Sequence, residues 1–407
     1  MRIVLVTDQF LPMVGGVATV THQLSTHLAA RGHHVWVIAP SESWRNKQSR
    51  EAQVSVYRFS SLEWPAYEGQ RVALLPAIGI WRLFKRLAPD IIHIHSPQVL
   101  GTLAREIGHA LHLPVIATNH FMPINLSRSL ADSGVLSRNF SRVVYRYLVG
   151  FYRRCDYVTA PTSTALTLLR EQGLRTPGEA ISNGIDLARF SPGPGDETAR
   201  QALGLPKDRP LALILTRLMR EKRVHVLLEA LAQTHQPCHL VIAGSGPEAG
   251  ELQALAYQLD VSKKVSFLGF VADESLVSLY RLADFFVMPS IAELQSLATL
   301  QALACGLPVI AANAGALPEL VQPGRNGYLF QPDQSDQLAL CLDTLLGQPQ
   351  QWQAMGLYSQ KIAALHDYQR VIEQWETIYQ NLIQSANARN HLLKQRSSRK
   401  SILLPRS

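Results

Sequence analysis

Short runs of β-branched and apolar residues alternate with helical stretches along the chain, and this pattern constrains the fold more than any other feature. Residues 3–7, 35–39, 91–95, 115–119 and 157–160 form a first series, and 211–216, 239–243, 265–268, 285–288 and 309–312 form a second. Strands separated by helices predict parallel sheets with crossover helices. The sequence therefore predicts an α/β fold of doubly wound, Rossmann-like domains, with ligands at the carboxyl ends of the strands and in the cleft between the domains.

A joint rich in Pro and Gly at 191–195 (SPGPG) separates the two series of strands. The 407 residues are too many for one compact core and suit two domains of ordinary size. We therefore expect a first domain over 1–190 and a second over 191–365. A C-terminal helix is expected over 366–385, followed by a basic flexible tail over 386–407.

The composition is that of a globular protein. Hydrophobic residues make up 47% of the chain and charged residues 17%, which excludes wholesale disorder. The apolar, charge-free stretch at 72–81 is about half of the roughly 20 residues that a membrane-spanning helix needs, and it contains Pro76. The N-terminus leads directly into a strand pattern, without an apolar segment followed by a small-residue cleavage site. We therefore expect a cytoplasmic protein without a transmembrane segment.

The net charge of +8 is unevenly distributed. Residues 1–190 carry a net +8, residues 191–385 a net −6 and residues 386–407 a net +6. A basic first half and tail beside an acidic second half indicate a surface that faces phosphates, of either nucleic acid or lipid. Charge alone does not decide between these partners.

The four cysteines are far apart in the sequence: Cys155, Cys238, Cys305 and Cys341. They have neither the paired spacing of a metal site nor the density of a disulfide scaffold. We expect buried thiols.

Two glycines, Gly15 and Gly16, stand between the first strand and an amphipathic helix that carries Val20, Leu24 and Leu28. Glycines at a strand-to-helix turn let backbone N–H groups approach a phosphate closely, and the helix dipole favours an anion there. The alternative is a tight turn without a ligand.

Charged side chains follow two strands of the second series. The segment 217–223 (RLMREKR) holds four cations and one acid, and is either a diphosphate clamp or a solvated charge run. Glu293 is expected to open the apolar helix that ends before Gly306. It either stabilises the helix dipole or binds sugar hydroxyls beside Arg217 and Lys222.

Six motifs, in this order, give the chain a specific resemblance. They are DQFLPMVGGV (8–17), PDIIHIHSP (89–97), SNGIDLARFSP (182–192), TRLMREKRVHVLLEAL (216–231), AGSGPE (243–248) and PSIAELQSLATLQALACGLPVIA (289–311). Together they resemble the retaining glycosyltransferases of family 4, two-domain GT-B enzymes that transfer a sugar from a nucleotide diphosphate donor. The resemblance implies an acceptor-binding first domain, a nucleotide-sugar-binding second domain, and last helices that pack back on the first domain.

The resemblance also implies roles for single residues. Gly16 would contact the donor phosphate, Arg217 and Lys222 would neutralise the diphosphate, and Glu293 would hold the transferred sugar. His120 would lie near the sugar carbon under attack.

Two positions depart from the family pattern. Gln301 stands where the family commonly has a second Glu that holds the nucleotide ribose, and an amide accepts a hydrogen bond without the charge that strengthens it. Leu294, Gln295 and Ser296 replace the usual Gly-rich step after Glu293. They keep hydrogen-bond donors for the phosphate while they narrow the pocket.

The acceptor is indicated by the stretch TNHFMP (118–123) around His120, which looks like the branch of the family that glycosylates diacylglycerol. His93 and His95 alternate onto one face of a strand and are interpreted as a wall of the cleft, with His95 near the acceptor. A metal site would need further ligands that the sequence does not offer, and no Asp-x-Asp motif occurs. Because Arg217 and Lys222 offset the diphosphate charge, the prediction is that neither a metal nor another cofactor is required.

The leading prediction is a retaining transferase that moves a hexose, most simply glucose from UDP-glucose, to diacylglycerol or another lipid hydroxyl. Two rivals are the same transfer to a soluble or polysaccharide acceptor, and a catalytically impaired nucleotide-sugar-binding protein, which Gln301 suggests. Nucleic-acid binding is not expected, because the basic stretches contain no recognised nucleic-acid motif.

A membrane partner is indicated by two stretches that mix cations with aromatic residues. Residues 136–154 contain five arginines and no acid, and Arg138, Arg142 and Arg146 recur every four residues on one helical face. Residues 80–86 (IWRLFKR) repeat the mixture. The alternative is that the aromatic rings pack in the core while the arginines are solvated. The prediction is peripheral docking on the anionic inner face of the cell membrane.

Overall fold

A computed structural model describes residues 1–13, 15–51, 53–63, 71–74, 76–122 and 134–402. The side chains of 134–140, 393–394 and 396–402 are outside this description. The chain divides into two compact units. The first contains Met1–Phe121, Arg138–Ile181 and the described residues from Val371 onward, and the second contains Ser182–Arg370 and the described residues of Met122–Ser137.

The first unit is built on one sheet of eight strands with helices between them. Its strands are β1 (Arg2–Val6), β2 (His34–Pro40), β3 (Lys47–Glu51), β4 (Val54–Phe59), β7 (Ile91–Ile94), β8 (Val115–Thr118), β9 (Tyr157–Ala160) and β10 (Gly178–Ala180), with β5 (Ser61–Glu63) and β6 (Arg71–Ala73) forming a separate pair. Its helices are α1 (Gly16–Ala30), α2 (Ala77–Leu87), α3 (Val99–Ala110), α4 (Gly134–Tyr152, which belongs to this unit from Arg138 onward) and α5 (Ser163–Glu171). The sheet order is β10-β9-β8-β7-β1-β2-β4-β3, and every pair is parallel except β3 with β4.

The second unit is built on one parallel sheet of six strands. Its strands are β11 (Leu211–Leu215), β12 (His239–Ala243), β13 (Val265–Gly269), β14 (Phe285–Met288), β15 (Val309–Ala312) and β16 (Gly327–Phe330), in the order β13-β12-β11-β14-β15-β16. Its helices are α6 (Glu197–Ala202), α7 (Val224–Gln233), α8 (Ala249–Gln258), α9 (Leu276–Leu282), α10 (Leu297–Ala304), α11 (Ser335–Leu346) and α12 (Trp352–Ala364), and α13 (Tyr368–Ile402) follows.

The predicted α/β class is confirmed, and each of the ten predicted strand runs contains a strand. The six strands that the pattern did not indicate are β3 to β6, β10 and β16. Strand β3 has the sequence KQSRE and four of its five residues are exposed. A polar strand at the edge of a sheet lacks the apolar run of a central strand, because it needs no burial on two faces and its charges block pairing with another chain.

The boundaries of the units differ from the expected ones. The first unit stops at Ile181, nine residues before the expected boundary at 190, and includes the chain again from Val371 onward. The expected flexible tail also differs, because α13 continues as a helix to Ile402. No Gly or Pro interrupts residues 369–402, and the Arg389 guanidinium lies 3.2 Å from the Asp156 carboxylate.

Helix α13 completes the core of the first unit. Val371, Ile372, Trp375 and Tyr379 are buried against residues of β1, β2 and α1. At the rim of this core, the Arg31 Nε and Nη2 groups donate hydrogen bonds to the two carboxylate oxygens of Glu376, at 2.9 and 2.8 Å. Apolar burial and this ion pair together fix the helix on the sheet.

The cysteines are free thiols. Cys155, Cys238 and Cys305 are buried as expected, whereas Cys341 is only half-buried, because α11 lies at the surface of the second unit. Burial raises the pKa of Cys155 to about 12. A thiol with this pKa stays protonated and is a poor nucleophile.

Replacing Trp375 by alanine should destabilise the first unit, because the ring is 4% exposed and its removal leaves a cavity. We expect the free energy of unfolding to fall by about 3 to 5 kcal/mol. The control is Trp44→Ala, whose ring is 70% exposed and whose loss should change stability by less than about 0.5 kcal/mol. Urea unfolding followed by circular dichroism checks both; equal effects would show that α13 is not part of the core.

Candidate active site

Each sheet has one point at which its connections change direction. In the first sheet β1 lies between β7 and β2, and in the second β11 lies between β12 and β14. Ligands of doubly wound folds bind outside the carboxyl ends of the strands at such a switch point. The chain places polar residues there: Asp8 after β1 and His95 after β7 in the first unit, and Arg217 after β11 and Glu293 after β14 in the second.

The central contact in the second unit is an ion pair between Lys222 and Glu293. The Lys222 Nζ lies 2.6 Å from Glu293 Oε1, and the two side chains are 18% and 11% exposed. Burying a carboxylate is costly unless a cation and hydrogen bonds compensate it. The structure therefore brings two of the residues predicted from sequence into direct contact.

The loop that carries Glu293 is held by its backbone. The Ala316 N–H donates to the Glu293 carbonyl at 2.9 Å, and the Ile291 N–H donates to the Glu221 carbonyl at 3.0 Å. Gly315 has a φ of +54°, and a Cβ at this position would lie 2.5 Å from the Glu293 carbonyl oxygen. A glycine is thus required for this close approach.

Glu293 does not open the helix, contrary to the sequence expectation. Helix α10 begins at Leu297, and Ser296 is its N-cap, with its Oγ accepting from the Thr299 N–H at 3.2 Å. A serine hydroxyl caps a helix better than a carboxylate three residues further out can. Ser296 is buried, and its hydroxyl also accepts from the Thr299 hydroxyl at 2.9 Å. Ser296 accepts both of these hydrogen bonds, so its own O–H group remains a donor, and its contact with a phosphate stays a prediction.

Gln295 is engaged with the segment that begins the second unit. Its Oε1 accepts from the Asn183 N–H at 2.7 Å, and its Nε2 donates to Ser182 Oγ at 3.0 Å. The His366 ring also contacts Ser182 Oγ, at 2.9 Å. Gln295 thus fixes the loop between β14 and α10, and its contact with a donor stays a prediction.

Gln301 has a partner that the sequence did not indicate. The hydroxyl of the fully buried Tyr280 donates to Gln301 Oε1 at 2.9 Å and lies 3.0 Å from the Ala298 carbonyl. The amide oxygen that was expected to accept from a ribose is therefore already hydrogen-bonded. Its second lone pair and its NH2 group remain for a ligand.

Gly16 and Arg217 are both exposed, each in its own unit. Gly16 is the first residue of α1, and open space surrounds the position a Cβ would take. Arg217 lies in the loop after β11, five residues before Lys222. The role of each as a donor contact stays a prediction.

Three histidines are stacked at the carboxyl edge of the first sheet. The ring centroids of His93 and His95 are 4.1 Å apart, and those of His95 and His120 are 5.3 Å apart. His95 Nδ1 and His120 Nε2 form a hydrogen bond of 3.0 Å. His93 and His95 are buried, whereas His120 is half-buried. The two histidines predicted for the site are therefore in direct contact.

Burial makes this cluster neutral. Desolvation holds the pKa of His93 and of His95 well below the usual value and lowers the pKa of His120 to about 4. Burial also raises the pKa of Asp8, at the end of the neighbouring strand β1, to about 7. The cluster therefore carries no positive charge at neutral pH.

The predicted membrane-facing residues are partly described. Arg142 and Arg146 are exposed on α4, while the side chain of Arg138 lies outside the described part of the chain. Phe151 and Tyr152 are buried in the core, so part of the aromatic stretch packs inward. Val143 and Tyr147 of α4 are exposed, and the Tyr147 hydroxyl donates to the Pro97 carbonyl.

Helix α2 presents an exposed face with apolar and cationic side chains. Ile78 and Trp81 are 68% and 39% exposed, Arg82 and Lys85 are exposed beside them, and the Lys85 Nζ lies 5.6 Å from the centre of the Trp81 ring. Positions 78, 81, 82 and 85 share one side of a helix. Among the described residues, no helix combines the length and the apolar character needed to cross a bilayer.

The described residues contain no group of three or more His, Cys, Asp or Glu side chains that could hold a metal ion. That the reaction needs no metal ion stays a prediction.

Comparison with known proteins identifies the class. Residues 14–189 match the profile of Glycosyltransferase Family 4, and residues 195–362 match that of Glycosyl transferases group 1. An alpha-monoglucosyldiacylglycerol synthase of Streptococcus pneumoniae is 30% identical over 100% of this chain and 92% of its own length. A GDP-mannose-dependent alpha-mannosyltransferase of Corynebacterium glutamicum is 29% identical over 81% of this chain and 76% of its own length.

A solved structure of similar fold is that of the Anabaena protein HepE in complex with UDP and glucose. It has a TM-score of 0.76 and 22% identity, and the match covers 94% of this chain and 100% of that one. The chain is a glycosyltransferase with the GT-B fold of two Rossmann-like domains. It belongs to glycosyltransferase family 4, as the sequence motifs predicted, and resembles the branch of the diacylglycerol glucosyltransferases.

Several residues at the sites were missed by the sequence reasoning. Tyr280 forms a hydrogen bond with Gln301, from which it is 21 residues away in the sequence. Tyr379 forms one with His93, from which it is 286 residues away. Nothing in the sequence links such pairs. Asp8 does carry a signal, because it directly follows a buried strand within the first motif.

The neutral histidines make stability depend on pH. Below pH 6.5 the unfolded chain protonates His93, His95 and His120, whereas the folded chain keeps them neutral, so stability falls as the pH falls. Asp8 offsets the effect of one histidine, because its carboxyl group keeps its proton up to about pH 7 in the folded chain but loses it at lower pH in the unfolded chain. The unfolded chain thus binds about two more protons than the folded chain. The free energy of unfolding, measured with urea, should therefore fall by about 2 to 3 kcal/mol per pH unit between about pH 6 and 5.

The matched variant is Asp8→Asn, which removes the opposing group and should make this pH dependence steeper. The chosen range lies above that in which paired carboxylates titrate. A stability that is constant from pH 7 to 5 would show that the histidines are protonated in the folded protein.

Proposed function

We propose that the protein is a retaining hexosyltransferase that moves glucose from UDP-glucose to a membrane lipid hydroxyl, with diacylglycerol as the acceptor. The observation that carries the proposal is the Lys222–Glu293 ion pair at the carboxyl edge of the second sheet. An ammonium has three N–H donors, so Lys222 can hold Glu293 and a diphosphate oxygen together. Glu293 keeps acceptor capacity for the hydroxyls of the transferred sugar.

In the proposed reaction, the bond between the sugar carbon C1 and the diphosphate oxygen breaks with its electron pair on the diphosphate. The acceptor hydroxyl oxygen bonds to C1 from the same face, and its proton passes to the departing diphosphate. Arg217 and Lys222 stabilise the charge that develops on the leaving group. The backbone N–H groups at the start of α10 add the positive end of a helix dipole to this stabilisation.

The choice of donor and acceptor is supported by the Streptococcus pneumoniae relative, whose name describes a monoglucosyldiacylglycerol synthase and whose sequence aligns with all of this chain. The HepE structure holds UDP and glucose on a similar fold. The mannosyltransferase relative, which uses GDP-mannose by name, is the basis of an alternative donor. The other alternative is a soluble or polysaccharide acceptor.

We also propose that the first unit docks reversibly on the anionic, cytoplasmic face of the membrane. The support is the exposed face of α2, where Ile78 and Trp81 stand beside Arg82 and Lys85, together with Arg142 and Arg146 on α4. Each cation near an anionic surface contributes about 1 kcal/mol. Two apolar side chains inserted at the interface would add to this attraction.

Purified protein should transfer glucose from UDP-glucose to diacylglycerol when it is incubated with a panel of labelled nucleotide sugars, diacylglycerol and soluble acceptors. Product identity is read by mass spectrometry. Turnover should survive EDTA, because Arg217 and Lys222 act at the diphosphate. A strict need for magnesium or manganese would refute the metal-free mechanism, and preferred transfer to a soluble acceptor would replace the lipid.

The same panel distinguishes the rival of an impaired sugar-nucleotide binder. Under the main proposal, wild type is active and Gln301→Glu keeps or improves donor affinity, because it adds charge to the group that meets the ribose. The rival predicts that wild type binds UDP-glucose without transfer and that Gln301→Glu gains activity.

Replacing Lys222 or Arg217 by alanine should lower kcat about 100- to 1,000-fold, the usual cost of losing one electrostatic stabiliser in a site. Lys222→Arg should retain part of the activity because it keeps the cation. The control is Lys263→Ala, an exposed lysine of the same unit, which should leave kcat unchanged. Near-normal kcat in Lys222→Ala, with the fold checked by circular dichroism, would contradict the diphosphate assignment.

Liposome flotation should show binding that rises with anionic lipid and falls with salt. We expect the double variants Arg142→Ser/Arg146→Ser and Ile78→Ser/Trp81→Ser each to lower the bound fraction several-fold, because each removes either charge or insertion. The matched control is Lys263→Ser/Lys264→Ser, which removes two exposed cations from the second unit. Equal loss in the control would indicate nonspecific attraction, and no binding at low salt would favour a soluble acceptor.

A further inference from the structure

The histidine column, defined as His93, His95 and His120, has an order of anchoring that runs from the core to the surface. His93 is fully buried and both its ring nitrogens are hydrogen-bonded: Nδ1 to the Tyr379 hydroxyl and Nε2 to the Thr118 hydroxyl, each at 2.7 Å. The Trp375 ring covers it, with centroids 4.6 Å apart. Helix α13 therefore fixes the inner end of the column.

His95 is the middle member and touches both neighbours. Its ring lies 4.1 Å from that of His93, and its Nδ1 forms the 3.0 Å hydrogen bond with His120 Nε2. Its Nε2 is buried and, in the described part of the chain, has no hydrogen-bond partner. Among the described residues, the His95 side chain therefore forms hydrogen bonds only through Nδ1.

This asymmetry decides which nitrogens carry protons. Burial favours neutral rings, so each of His95 and His120 holds one proton. If His95 carried it on Nε2, a buried N–H would lack an acceptor, which is rarer and more costly than an unused lone pair. The proton therefore lies on Nδ1 and is donated to the Nε2 lone pair of His120. His120 must then carry its own proton on Nδ1.

We propose that His95 is a positioning residue that holds His120 in the Nδ1–H form, so that His120 meets the transferred sugar as a hydrogen-bond donor and not as a base. The inference rests on the proposed function for the identity of the ligand. It agrees with the proposed proton balance, in which the acceptor proton goes to the departing diphosphate and no side chain has to remove it.

The first test measures the proton positions without any substrate. Protein labelled with 15N-histidine is studied by NMR at neutral pH, and the signals are assigned with His95→Phe and His120→Gln. We expect His120 with a protonated Nδ1 and a hydrogen-bonded, unprotonated Nε2, and a change of this pattern toward a tautomer mixture in His95→Phe. A wild-type His120 protonated on Nε2 would overturn the proposal.

The second test compares two amides at position 95. An asparagine places its NH2 group where His Nδ1 lies, whereas a glutamine reaches the place of Nε2. We expect His95→Asn to keep kcat within about threefold of wild type, and His95→Gln and His95→Phe to lose tenfold or more, at comparable thermal stability. Equal kcat in the Asn and Gln variants would show that the hydrogen bond to His120 is not used.

The matched control is His109→Gln, a half-buried histidine on α3 of the same unit, which should leave kcat and the His120 signals unchanged. If wild type transfers no sugar at all, the proposed function fails, while the NMR result alone supports or overturns the positioning role. If wild type is active but its His120 carries the Nε2 proton, the positioning role fails and the proposed function stands.

Discussion

The hydrogen-bonded parallel sheet is the constraint on which the rest of this protein depends. In a parallel sheet all carboxyl ends lie on one side, and helices cover both faces, so the central strands are near-continuous apolar runs. Strands such as β11 and β14 accordingly read LALIL and FFVM. Polar residues that the strands exclude collect in the loops at the carboxyl edge, which is where Lys222, Glu293, His95 and His120 are found.

The cost of burying polar groups at the carboxyl ends of the strands is compensated differently in the two units. In the second unit the Lys222 ammonium and the Glu293 carboxylate form an ion pair of 2.6 Å. In the first unit the stacked histidines are neutral, because burial lowers their pKa. A charged pair suits a site that meets a diphosphate and sugar hydroxyls, whereas a neutral stack offers directed hydrogen bonds without attracting a counterion.

Local patterns made much of the fold, and the positions of several candidate site residues, predictable from sequence. Apolar runs located the central strands, and the position of a residue after such a run located Arg217, Lys222, Glu293 and His120. What could not be predicted depends on tertiary contacts. The Tyr379 hydroxyl meets His93 only because α13 packs on the first sheet. Glu293 precedes its helix because the Ser296 hydroxyl caps α10, and two polar residues before an apolar run do not reveal which of them is the cap.

Calorimetric binding of UDP and of UDP-glucose to wild type, Lys222→Ala and Glu293→Ala tests the central claim most directly. The account predicts that Lys222→Ala weakens both ligands, because both carry the diphosphate. Glu293→Ala should weaken UDP-glucose but leave UDP as tight or tighter, because Lys222 is then released from its carboxylate partner. If Lys222→Ala binds UDP as tightly as wild type does, the ion pair is not part of a donor site and the proposed mechanism is wrong.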